Sequence, residues 1–445
     1  MALAQGSGEL IWWPYLVAKY GLTFLWLLVP ACLLQYPLNV EIGRYTLLTG
    51  ENIFRGFYRV HAVLGGLLWL LMTISFLWFG AFASAGGTAM AALTQFPGGF
   101  TVRGRTLFWA YATIGVFVAA IALSGVVYRT IERFMKVVAV VTVVGLLWAC
   151  TQPDVAKALP TFVSALAGPP GPSERAWDVN DATKLLTAIT FAGLGGFWIL
   201  LYSYWLSDKG CGMAVHGGRI TGLGGDAGTS AAPGAGGHLI DESPTSAVEW
   251  RRWRRYLSVD ALVGIVGNLL TTFMTCLLAY ALLYPRGLLP EDYELAVVQS
   301  TFFEVSWGPI GRMLFLVVAA AFLTDTWLGT ADGVSRMHAD LIYSRFPAAR
   351  RWPLGHWYYG VLAVLTVITC LTMLLDAPGP LILLSAVIGF AGTVIFPPAL
   401  FVLNYRRLAP AVPPWARPYG FEALLLGVSF VAYAILAAAY LWATF

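Results

Sequence analysis

The sequence predicts an all-α integral membrane protein: two five-helix units of opposite orientation, followed by one extra helix. Three observations predict it. The 445 residues are 58% hydrophobic and only 11% charged, whereas soluble domains carry about 25% charged residues. Ten segments come close to the length of about 20 mostly apolar residues that a spanning helix needs. Two Gly-rich interruptions fall five segments apart, at the first position of each unit.

The ten spans are approximately 22–48, 60–82, 106–127, 131–150, 183–206, 257–283, 309–332, 357–375, 379–403 and 419–443. A shorter piece, 9–20, precedes them and makes eleven. Residues 1–150 then form the first unit, 182–404 the second and 405–445 the additional C-terminal helix. Two long connections, 151–181 with "GPPGPSER" and 207–256 with "GRITGLGGDAGTSAAPGAGGHLIDESP", are rich in Gly, Ser and Pro and predict flexible loops.

Basic residues set the orientation. If the first segment runs outward, 19 of the 27 Lys and Arg fall in the inner connections 2–3, 4–5, 6–7, 8–9 and 10–11. That bias obeys the positive-inside rule and leaves the C-terminus outside. The start has no basic n-region of a cleavable signal, and short loops without a targeting peptide predict a bacterial-type plasma membrane. The five cysteines are scattered through apolar runs without ligand spacing, which makes them small buried hydrophobes.

The interruptions carry the functional reading. "GSGE", Gly6 to Glu9, opens the first segment; "FAGLGGFW", with Gly193, Gly195 and Gly196, lies inside the sixth. An unpaired backbone amide or carbonyl is costly in lipid, so helices break only where the break lines a cavity. Because five is odd, the second unit enters from the opposite face. Paired broken helices in inverted repeats are the pattern of secondary transporters, whose guest sits near the midplane. A carboxylate, Glu9, beside one break marks a pathway or binding site by its cost alone.

The stretch "VAKYGLTFLWLLVPACLLQYPLNVEIGRYTLLTGENIFRGF" resembles the first-to-second helix region of the Nramp superfamily of divalent-metal transporters. It is most similar to a divergent branch with Gly-Ser-Gly-Glu in the first helix, and "AGLGGFWILLYSYWLSDKGCGM" is similar to that branch's sixth helix. The resemblance extends loosely over nearly the whole chain in helix order. It implies a LeuT-like fold and transport of a divalent cation. The departures are specific. Gly6, Ser7, Gly8 and Glu9 stand where the ordinary family has Asp-Pro-Gly-Asn, and Gly195, Gly196 and Phe197 where it has Met-Pro-His. The sulfur ligand is therefore absent, and an oxygen-only site favours Mg²⁺ or Mn²⁺ over Fe²⁺. The third segment lacks the acids associated with the family's proton path. Only Met1 to Gln5 precede the first break, fewer than the roughly seven to ten residues an inner half-helix needs. A first helix truncated at its inner half is expected here, either through a start assigned too far downstream or through true loss.

Other polar residues complete the expected site. Asp325, flanked by Thr324 and Thr326, is the second candidate metal ligand after Glu9; Asp332, seven residues on, is expected in solvated pairing with Arg336. Asn268 either lines the cavity or joins neighbouring helices, and Glu41 with Arg44 forms a structural pair. "WRRWRRY", Trp250 to Tyr256, reads as a membrane-surface anchor and not a nucleic-acid contact. Enzyme readings fail on chemistry. "GLGGD" at 222–226 lies in a polar loop, unlike the intramembrane carboxylate pair of aspartyl proteases, and Ser7 has no base near it. The expected partners are the bilayer and a metal ion or small solute; no resident cofactor is expected.

Overall fold

The computed structural model describes residues 7–123, 127–168, 171, 175–216, 237–290 and 292–444. Among them there is no strand, and ten helices are long and apolar enough to cross a membrane. In chain order the long helices are α1 (Ser7–Tyr20), α2 (Leu25–Thr49), α3 (Ala62–Thr94), α4 (Val102–Leu123) and α5 (Val127–Cys150). They continue as α6 (Val179–Lys209), α7 (Pro244–Leu278), α8 (Thr301–Arg345), α9 (Leu354–Thr372), α10 (Pro378–Phe401) and α11 (Gly420–Thr444).

Burial ranks these helices. In the most apolar window of α6, 88% of residues are buried, against 22% in α4 and α9 and 17% in α11. α6 is the axis of the molecule, and α4, α9 and α11 are its lipid-facing rim. Around the axis stand α1, α2, α7 and α10, while α8 lies along the second half of α3. Hydrocarbon tails are as apolar as leucine, so close packing, not the hydrophobic effect, holds such helices together. The small-residue stretch "GAFASAGGTAMAALT" of α3 provides it. A Cβ on Gly86 would collide with Thr324 and Ala320 of α8, and one on Gly87 with Thr106 of α4.

Four elements depart from the sequence expectation, the first being α3, which runs to Thr94 and not to 82 because its small residues pack it along α8. The expected loop 207–256 is helical at both ends, with α6 running to Lys209 and α7 starting at Pro244; residues 217–236 lie outside the described residues. The reason is a helix start made by Ser243, whose hydroxyl accepts from the Ser246 amide at 3.1 Å, followed by proline at the first helical position. "WRRWRRY" therefore rides on α7, with Trp250 buried. The expected loop 151–181 holds short helices Pro153–Ala156 and Leu159–Ser164, pinned to the core by fully buried Val155 and Phe162. α8 bends sharply at Gly308, where φ is 58°, so its main segment starts at 309 as expected; it exceeds the expected end at 332 because its polar last turns are buried against protein and not exposed to lipid.

Candidate substrate site at the α6 break

α6 is α-helical over Ala182–Gly195, continues as a 3-10 stretch Gly196–Leu201, and returns to α-helix over Tyr202–Lys209. Glycine makes the break. Gly193, Gly195 and Gly196 have φ of 81°, 85° and 58°, a region costly for residues with a side chain. Space forbids a Cβ as well: at Gly193 it would stand 3.1 Å from Cys32 of α2, and at Gly196 2.5 Å from the Thr190 carbonyl. A break of this kind leaves the last carbonyls and first amides without helical partners. Asn268 of α7 meets one of them, its Oδ1 accepting from the Gly193 amide at 3.0 Å. Cys32 Sγ donates to the same oxygen at 3.7 Å.

α1 is set directly on this break. Gly8 has no side chain because Phe191, two residues before Gly193, fills that place. Trp13 Nε1 donates to the Ala188 carbonyl at 3.0 Å, and Gln299 Nε2 donates to the Leu10 carbonyl at 2.6 Å. Gly6 lies outside the described residues; Ser7 and Glu9 form the first turn of α1, their side chains outside the described residues. Leu10 packs with Val138 of α5 and Phe322 of α8.

Asp325 is one helical turn beyond Phe322, on the same face of α8, and one turn further a Cβ on Gly329 would stand 3.7 Å from Met135 of α5. The carboxylate is thus directed toward the gap between α5 and the start of α1. It is 6% exposed and makes no hydrogen bond or ion pair among the described residues, and the Thr324 hydroxyl beside it is also unpartnered. Gln35, whose side chain a Cβ on Gly193 would meet at 3.1 Å, donates to Tyr433 at 2.6 Å and leaves its own Oε1 unpartnered. Sequence reasoning missed Gln35, whose partner is nearly 400 residues away. No group of three or more His, Cys, Asp or Glu suited to a metal occurs among the described residues. Aromatic rings surround the break: Phe79 lies 4.2 Å from Trp198 and Phe82 6.3 Å from Phe191, centroid to centroid.

Ion pairs anchor the two halves of α6 separately. At its start, buried Asp181 receives Lys19 at 2.6 Å, Tyr20 at 2.6 Å and Lys184 at 2.9 Å, which ties the first half to the end of α1. At its far end Asp208 pairs with Arg336 of α8, which also holds Asp332 at 2.9 Å through Nε. Tyr358 of α9 and Trp205 donate to Asp332 at 2.6 and 3.4 Å. The expected Asp332–Arg336 pair therefore exists but is not solvated: the residues are 0% and 3% exposed, because α6 and α9 close over them. Glu41 and Arg44 pair at 3.3 Å and are equally buried, with Asn404 donating to Glu41 at 2.7 Å.

The sequence matches no protein-family model and no curated protein. Solved structures give the fold. A single-residue variant of a manganese transporter from Eremococcus coleocola superposes with a TM-score of 0.62 at 12% identity, covering 98% of this chain and 84% of that one. MhsT in complex with L-phenylalanine gives 0.59 at 13%, covering 100% and 97%. Mhp1, a nucleobase-cation-symport-1 family transporter in a closed conformation with bromovinylhydantoin bound, gives 0.57 at 14%, covering 100% and 88%. The chain has the LeuT-like transporter fold. The likeness is spread across these neighbours and selects no single branch of it.

Proposed function

We propose that the protein is a secondary transporter that carries a divalent cation, Mg²⁺ or Mn²⁺ in preference to Fe²⁺, through a midplane site between α1 and the α6 break. The observation that carries the reading is Asp325, a buried carboxylate without a protein partner, directed toward the gap beside α1. A charge so placed is costly unless a guest of opposite sign arrives. Asp325 and Glu9 would supply the carboxylate oxygens. The backbone carbonyls of Gly6, Gly193, Gly195 and Gly196, with the Ser7 hydroxyl, would supply neutral ones, an all-oxygen set suited to hard cations. Asn268 serves this site by holding Gly193 in its unwound conformation. The protein would sit in a bacterial inner membrane with its Arg-rich connections inside and the C-terminus outside.

The aromatic rings around the break favour a second reading, a carrier of a small organic solute in which Asp325 meets the solute's cationic group or a coupling ion. Flux into proteoliposomes separates the two. Uptake of Mg²⁺ or Mn²⁺ that is lost in Asp325→Asn and in Glu9→Gln is the expected result. Uptake of an organic solute alone would replace the first reading by the second, and no flux of either kind would overturn both.

A further inference from the structure

A second polar site lies away from the break. A cavity of about 290 Å³ opens between the short helix Ile53–Val60, α3, the last turns of α6 and the last turns of α8. Five charged side chains line it: Glu51, Arg55, Arg59, Asp340 and Arg345. Glu51 pairs with Arg59 and Asp340 with Arg55, so both acids are already neutralised. Arg345 has no carboxylate partner among the described residues; its guanidinium lies 4.7 Å over the Tyr58 ring, also in the lining. The cavity wall is left with one net positive charge.

Two buried donors point the same way. Tyr204, only 3% exposed, and Trp69 both line the cavity, and neither the Tyr204 hydroxyl nor the Trp69 indole N–H has a hydrogen-bond partner. An indole N–H donates only, so nothing but an acceptor can satisfy it. An unmet buried donor costs about 1–3 kcal/mol, which an anion entering the cavity would recover.

We infer that this cavity binds a phosphate-bearing anion, with Arg345 as its principal cation and Tyr204 and Trp69 as neutral donors. A phosphate presents more acceptor sites than a carboxylate to Arg345, Tyr204 and Trp69, and its geometry matches the guanidinium fork. The phosphate can come from an anionic lipid headgroup, as basic pockets between membrane helices bind, or from a soluble phosphate. The same surplus charge makes the cavity a poor exit for a divalent cation, so the inference is independent of the cargo proposed for the α6 break.

The test uses the full chain in neutral detergent at matched ionic strength, following the thermal unfolding midpoint with added inorganic phosphate, phosphatidylglycerol or phosphatidylcholine. A ligand that binds only the folded state raises the midpoint with concentration. The expected result is a saturable rise with phosphatidylglycerol, with inorganic phosphate or with both, and none with phosphatidylcholine. A rise with phosphatidylglycerol alone identifies a lipid headgroup site; a rise with inorganic phosphate identifies a site open to soluble phosphate. Arg345→Gln should weaken that binding about tenfold, the worth of one charge-assisted hydrogen bond. Tyr204→Phe, which removes a single oxygen, should weaken it several-fold, and Arg417→Gln, outside the cavity, should leave it unchanged. No rise with either anion, or a rise that survives both cavity variants, would overturn the inference.

Discussion

Asp325 and Asp332 stand seven residues apart on one helix, about two turns, and both are shielded from solvent. There the likeness ends. Asp332 is gripped by Arg336, Tyr358 and Trp205, which arrive from α8, α9 and α6. Asp325 has no hydrogen-bond or ion-pair partner among the described residues, and its helix face turns toward α5 and the first turn of α1. A carboxylate within apolar surroundings is retained at a cost, and its partners say what that cost secures. The gripped one joins three helices; under the proposed function the solitary one awaits the guest.

Substitutions can break this contrast, and their effects on stability should fall in a definite order. Arg336→Ala removes the cation that Asp208 and Asp332 share in a buried setting and should cost about 3–5 kcal/mol, read as a steep drop in the thermal midpoint or as failure to purify. A loss of less than about 1 kcal/mol would mean that water reaches Asp332 after all. Tyr358→Phe removes one bond to a charged acceptor and should cost about 1.5–3 kcal/mol by the same measurement. Asn268→Ala removes the side-chain acceptor of the Gly193 amide at the break and should cost about 1–3 kcal/mol, with faster hydrogen exchange at that amide as the local signature. Asp325→Asn comes last: its midpoint should stay level or rise, because a buried charge without a partner disappears, even as flux is lost. Destabilisation by Asp325→Asn on the scale of Arg336→Ala would make the two carboxylates equivalent and remove the reason to place a guest beside either.

Much of the architecture is legible in one dimension, because crossing lipid imposes length and apolarity on each span and glycine is what an unwound stretch requires. Gly193 to Gly196 are of that kind. The start of α7 was equally written in the sequence, in Ser243 followed by Pro244, but a hydropathy window reads such a polar first turn as loop. The candidate site is less legible. Asp325 is visible as an acid in an apolar run, yet nothing local separates its isolation from the crowding of Asp332; that depends on Asp208, Trp205 and Tyr358, supplied by other helices. Gln35 is invisible for the same reason, since it comes beside Gly193 only when α2 docks against the break.

The separate anchoring of the two halves of α6 has a mechanical consequence. Lys19, Tyr20 and Lys184 gather on Asp181 and fasten the first half to α1, while Arg336 fastens the last turns to α8. The glycines between them act as a fulcrum. Two levers that share a pivot but are bolted to different frames need not swing together, so one end of the molecule can open while the other stays shut.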